Sequence, residues 1–193
     1  EAVYELPKPA ADAHYDYQYP MTIEELEQMR DELIAADELI AADIESISVN
    51  LTHPYNKVLS IAFATSKKAW SFPVDHKESW WNDVERRCVQ DIMTQVLTQC
   101  KIIGHYVKSD TKSLRYHLGI DFVPVGDTIQ LSRLVNPEAI EHGLKRLAGV
   151  HLQMFDYDEE LLQYIREHPE ADYKKGGNYG NIPLEKLLPY GNK

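Results

Sequence analysis

Five short apolar runs, at residues 39–43, 58–64, 69–74, 101–104 and 123–125, are interleaved with segments of helical period. That alternation of strand-length and helix-length patterns narrows the architecture more than any other feature of the chain. A helix comes first. Thr22 opens Thr-Ile-Glu-Glu, a capping-box pattern with Glu25 three residues on, and Leu26, Met29, Leu33 and Ile34 then fall on one stripe as far as about Ala36. The first three runs follow, the second and third joined by the polar turn Thr65-Ser66-Lys67-Lys68, which reads as a hairpin. From residue 79 onward helix and strand alternate, with helices expected over 79–98, 109–117 and from Asp127 or Thr128 to Leu134. The chain finishes in helical patterns at 143–150, 159–168 and 183–188. Such an order predicts an α/β protein, a mixed five-stranded sheet with helices on both faces. The words at 32–37 and 38–43 are both Glu-Leu-Ile-Ala-Ala-Asp. A six-residue period suits neither helix nor strand, so the first copy reads as the end of a helix and the second as a strand.

Residues 1–20, with their prolines and tyrosines, read as an extended leader, and 21–193 as one folded domain. With 44% hydrophobic residues in 193, a full core is available. No apolar run approaches the ~18 residues a membrane span needs, and the acidic start at Glu1 is unlike a secretory signal. Cys88 and Cys100 have no Cys-x-x-Cys or Cys/His neighbourhood and read as reduced thiols of an intracellular protein. Eight histidines lie scattered without metal-site spacing. Twenty basic against 31 acidic residues give a net charge of −11, which argues against a free-standing, tight nucleic-acid binder. It leaves open a site where bound cations supply the positive charge.

Asp43-Ile44-Glu45 closes the first apolar run. Residues i and i+2 of a strand point to one side, so the two carboxylates project together. They either meet solvent at a strand end or share a hard cation such as Mg²⁺ or Mn²⁺, which prefers oxygen ligands. In Ile102-Ile103-Gly104-His105-Tyr106-Val107-Lys108-Ser109-Asp110 a strand ends at glycine and a helix follows, with Asp110 in its first turn. An acid there complements the helix dipole or swings back toward the first two. The spacing does not choose.

These segments occur in order with Gly126-Asp127-Thr128, with Leu134-Val135-Asn136-Pro137, with His142-Gly143-Leu144-Lys145-Arg146-Leu147-Ala148, and with Leu187-Leu188-Pro189-Tyr190. Together, from about Thr22 to the end, they resemble the exonuclease domain of family A DNA polymerases, particularly those of phages. That family belongs to the DEDD exonucleases with a tyrosine in the last motif, on a ribonuclease H-like fold. The resemblance implies a 3′→5′ proofreading exonuclease releasing nucleoside 5′-monophosphates from single-stranded DNA ends with two divalent ions. Asp43, Glu45 and Asp110 would ligate metal, and Tyr190 would orient the attacking water. Ser46, Val49 and Tyr106 would line the path of the nucleic acid, Val49 as an apolar wedge against the terminal base. A polymerase domain would follow in the same chain, within a bacterial or phage-infected cytoplasm.

Three departures accompany the resemblance. The aspartate completing Tyr-x-x-x-Asp would fall just after Lys193. Tyr106 stands where the family has asparagine and Ser109 where it has an aromatic. Ser46-Ile47-Ser48 lacks the glycine usual after the first motif. An exoribonuclease of the RNase D type shares the motifs, and a degenerate module that binds nucleic acid or braces a polymerase fits the departures. Asp127 reads as a helix cap, Trp80-Trp81 and Tyr55 as packing residues that are also able to stack on bases, and 174–181 as a flexible loop.

Overall fold

The structure is a computed structural model that describes residues 16–48, 50, 55–154, 158–172 and 177–191. Its sheet is built from β1 (Asp16–Gln18), β2 (Leu39–Ser46), β3 (Val58–Ala64), β4 (Lys68–Pro73), β5 (Lys101–Gly104) and β6 (Gly126–Asp127), in the order β1-β4-β3-β2-β5-β6. The expected mixed sheet is therefore present with six strands rather than five. β2–β3 and β3–β4 pair antiparallel, and the remaining pairs are parallel. The added strand comes from the segment read as a leader. Its three side chains are exposed and its pairing with β4 is a matter of backbone, so hydrophobic patterning could not mark it. The strand expected at 123–125 lies slightly further on, at β6. Val123 and Val125 stay exposed, while the Val125 N–H reaches the Ile102 carbonyl at 2.8 Å and leads Gly126 and Asp127 into the ladder.

The helices are α1 (Ile23–Ala35), α2 (Asp83–Gln99), α3 (Lys108–Leu118), α4 (Thr128–Val135), α5 (Leu144–Leu152), α6 (Glu159–Glu167) and α7 (Leu184–Gly191). The capping box at α1 forms as read, with Thr22 Oγ1 accepting the Glu25 N–H and Glu25 reaching back to the cap. α2 opens four residues later than its pattern suggested, because Asn82 and Glu85 make a second capping box. The hairpin turn is closed by the Thr65 N–H donating to Lys68 O at 2.9 Å. Of the loop expected at 174–181, residues 174–176 lie outside the described residues, and Tyr179–Asn181 forms a single 3-10 turn.

Two cores share the sheet. On one face, Ile40, Ile61, Phe63, Trp70 and Phe72 pack against α1 and α2 through Leu26, Met29, Leu33, Ile92, Met93 and Val96, with Leu114 of α3 alongside. Elsewhere Leu59 gathers Leu161 and Ile165 of α6 and Leu184, Leu187 and Leu188 of α7. Trp80 touches both clusters, and Trp81 is buried with its indole N–H on Pro73 O at 2.8 Å, so this aromatic pair is packing. The register breaks between Glu45 and Ser46, since Glu45 lies opposite Ser60 and Ser46 opposite Val58. The extra residue is Leu59, and a bulge of this kind re-aims neighbouring side chains at a strand end.

Candidate active site

Asp43 and Glu45 lie in β2 opposite Ala62 and Ser60 of β3, on the sheet face that α7 covers. The small side chains Ala41, Ala62 and Ala64 leave room there. Beside Asp43 opens a cavity of about 260 Å³ that also meets His105, Thr128, Leu144 and Tyr190. Glu45 and Ser46 face an adjoining cavity of about 210 Å³, with Asp110, Ser113, Tyr179 and again Tyr190. Tyr190, near the end of α7, is the side chain common to both.

Asp110 arrives through a tight strand-to-helix passage. At Gly104 a Cβ would sit 2.9 Å from the Val107 Cβ and 3.1 Å from Ala42 O, so glycine lets β5 end against its neighbours. Tyr106 then turns with φ +60°, its N–H donating to Asp127 Oδ1 at 2.8 Å. The same oxygen accepts the Ile129 N–H at 3.1 Å, which makes Asp127 the cap of α4 as its sequence position suggested. A left-handed φ suits asparagine better than tyrosine, which gives the family's usual residue at this position a backbone reason. Tyr106 is exposed at the rim and lines neither cavity. Val49 lies outside the described residues.

The electrostatics of the three acids are those of a shared site. Burial raises the Glu45 carboxyl well above its ordinary range, and the charges of Asp43 and Asp110 raise it further. Burial, then Asp43, then Asp127 push Asp110 up to about 8. Asp43 is itself exposed to the cleft. Burial still lifts its carboxyl to about 6, against the opposing hydrogen bond from the Ile44 N–H. Asp110 occupies the first turn of α3, where the helix dipole favours the anion, yet desolvation and like charge prevail. Its Oδ2 is buried without a hydrogen-bond partner.

A buried carboxylate oxygen with no donor, beside two more acids, has the chemistry of a hard-cation site. Among the described residues, however, no three acidic, histidine or cysteine side chains converge closely enough to hold one ion. Asp43 lines one cavity and Glu45 and Asp110 the other, and the two meet at Tyr190.

Several lining residues carried no sequence signal of their own. His105 joins through Nδ1 to Thr128 Oγ1 at 2.9 Å, and Thr128 Oγ1 donates to Gly104 O at 3.2 Å, tying β5 to α4 beside Asp43. Tyr179 enters from the 3-10 turn. Its place beside Glu45 depends on that turn packing near Ile47, a contact that no local pattern encodes.

The end of β2, the start of α3 and Tyr190 of α7 thus frame an acid-lined cleft on one face of a mixed sheet flanked by helices, an arrangement suited to a metal-dependent nuclease. A family model described as 3′-5′ exonuclease, of the type found in family A DNA polymerases, matches residues 17–190, and the chain belongs to that family. It is 26% identical over 134 residues to a DNA polymerase of Escherichia phage T5, covering 62% of this chain and 16% of that protein. The chain therefore corresponds to about one sixth of this much longer relative. Among solved structures, the Trypanosoma brucei RNase D in complex with GMP superposes with a TM-score of 0.67 at 13% identity, over 92% of this chain and 53% of that one. The Aedes aegypti Nibbler EXO domain gives 0.63 at 13% identity, over 97% and 84%. Both likenesses concern the fold. No helix among the described residues is long and apolar enough to cross a membrane.

Proposed function

We propose that this domain removes nucleotides from the 3′ end of single-stranded DNA, using two divalent ions, Mg²⁺ or Mn²⁺, held by Asp43, Glu45 and Asp110. The observation that carries the proposal is the gathering of Asp43, Glu45 and Asp110 around two adjoining cavities that share Tyr190, with a buried Asp110 oxygen that has no partner. When bound, the ions supply an activated water and neutralise charge on the phosphate. Tyr190, reaching both cavities, orients that water by hydrogen bonding; a phenol of pKa near 10 is a poor base at neutral pH. Ser46, beside Glu45, and Tyr106, at the rim, border the path of the strand, and Val49 is assigned to the terminal base on the family pattern. The small alanines beside Asp43 give an unstacked terminal nucleoside room to enter. The product is a nucleoside 5′-monophosphate.

The same reading assigns the domain, which includes β1 from within the segment first read as a leader, to the proofreading part of a longer intracellular polymerase chain. The relationship to a phage DNA polymerase supports this. The downstream reading frame is expected to encode a polymerase domain with its own catalytic aspartates.

The decisive test offers 5′-labelled single-stranded DNA and RNA of the same sequence with Mg²⁺ or Mn²⁺. Stepwise shortening of the DNA from its 3′ end is expected, abolished by Asp43→Ala without loss of fold. Faster shortening of the RNA moves the assignment to an RNase D-type enzyme, and unchanged cleavage by Asp43→Ala removes it.

A further inference from the structure

His76 is a buried titratable side chain, 1% exposed, that the proposed chemistry does not use. Its Nδ1 faces the Glu78 N–H at 3.1 Å and must accept, so the ring proton sits on Nε2 and is donated to Ile182 O at 3.0 Å. Glu78, exposed and two residues on, accepts the Leu184 N–H on Oε2 at 3.0 Å. These two bonds grip the chain on either side of Pro183, where α7 begins, across 106 residues of sequence. Glu78 thereby places a carboxylate at the amino end of α7, where the free N–H groups and the helix dipole both favour one.

α7 needs outside support to hold its position. It has eight residues with Pro189 among them, and a helix this short is marginal by itself, while an internal proline removes a backbone hydrogen bond. Leu184, Leu187 and Leu188 fasten it to the second core, but apolar burial is non-directional and fixes a helix along its axis less sharply than hydrogen bonds do. Tyr190 lies six residues beyond Leu184, about 9 Å along the axis, so displacement at the amino end is carried to the phenol. We infer that His76 and Glu78 are positioning residues that set the register of α7 and through it the placement of Tyr190 between the two cavities. Trp80, packed against both cores, anchors the same segment.

The functional part of this inference rests on the exonuclease reading, so the experiment has two readouts. Amide hydrogen exchange of residues 184–191 reports the latch itself. Single-turnover cleavage of a single-stranded DNA at saturating Mn²⁺ reports Tyr190. Glu78→Ala is expected to speed exchange in α7 about tenfold and to lower the cleavage rate about tenfold, with KM and the Mn²⁺ requirement unchanged. Glu78→Gln keeps an acceptor and should restore both. His76→Phe, which fills the ring volume without the bonds, should behave as Glu78→Ala. Unchanged exchange in Glu78→Ala overturns the latch, and faster exchange with undiminished cleavage overturns the link to Tyr190. Faster exchange together with a wild-type protein that cleaves nothing supports the latch and removes the exonuclease reading.

Discussion

Replacing Asp110 by asparagine should stabilise the metal-free protein at high pH, and the effect can be bounded. The Asp110 carboxyl is raised from an ordinary 3.8 to about 8, by burial first and then by the charges of Asp43 and Asp127. A folded-state pKa above the unfolded one means that the native protein holds more protons, so stability falls as pH rises from about 4 to about 8. At about 1.4 kcal/mol per unit, the full shift corresponds to on the order of 6 kcal/mol. Asp110 is half-buried, and solvent access and relaxation bring the expected effect to about 2 kcal/mol. The opposing loss is the anion's interaction with the amino end of α3, about 0.3–1 kcal/mol. Desolvation therefore wins. Urea unfolding in EDTA should show Asp110→Asn close to wild type at pH 4 and ahead of it at pH 9. With an m-value of about 2 kcal/mol per molar, the midpoint gain at pH 9 is about 1 M. Equal midpoints at pH 9, or a wild-type protein that gains relative to the variant as pH rises, would refute a crowded, desolvated acid at this position.

Added Mg²⁺ or Mn²⁺ at a hundredfold excess over its dissociation constant should stabilise by about 2.7 kcal/mol. For a chain of this size that is a rise of roughly 5–10 °C in Tm, read by calorimetry and lost in Asp43→Ala. Tyr106→Asn should stabilise by about 1 kcal/mol, because asparagine tolerates φ +60° more readily than tyrosine; a lower urea midpoint for that variant contradicts the strain argument.

Much of the fold was legible because its signals are local. The Thr22–Glu25 capping box, the polar hairpin turn and the helical stripe of α1 each need fewer than about a dozen residues to declare themselves, and each formed, although of the stripe only Leu26, Met29 and Leu33 are buried while Ile34 is exposed. Asp43 and Glu45 were placed on one face by strand period alone, and β2 extends far enough to include both. What escaped was non-local. β1 joins as an edge through backbone pairing with no apolar side, and α2 starts where Asn82 caps it rather than where its apolar period begins. The bulge at Leu59 depends on the match between two strands, so neither strand announces it. His76 and Glu78 carried no sequence signal, since the backbone they hold is 106 positions away. Resemblance supplied the grouping of Asp110 with Asp43 and Glu45, which spacing left open. The structure adds that the three acids feel one another's charge across cavities divided at Tyr190.

The acidity of the chain bears on how such a site engages its substrate. A net charge of −11 repels a polyanion at long range, and at the site the charge of Asp43 already adds to burial in raising the Glu45 and Asp110 carboxyls. A phosphate entering that cleft meets repulsion unless cations arrive first or together with it. Under the exonuclease reading, binding of metal and of the DNA end must then be strongly and positively coupled, and by linkage each tightens the other by the same factor. The domain alone would hold DNA weakly without divalent ions, and its affinity would depend less steeply on salt than that of a protein with a basic groove, because few lysines or arginines would displace counterions. A basic surface on a following polymerase domain would supply the missing long-range attraction. Nuclease and polymerase would then divide the work, one carrying the metal chemistry and the other most of the grip on the strand.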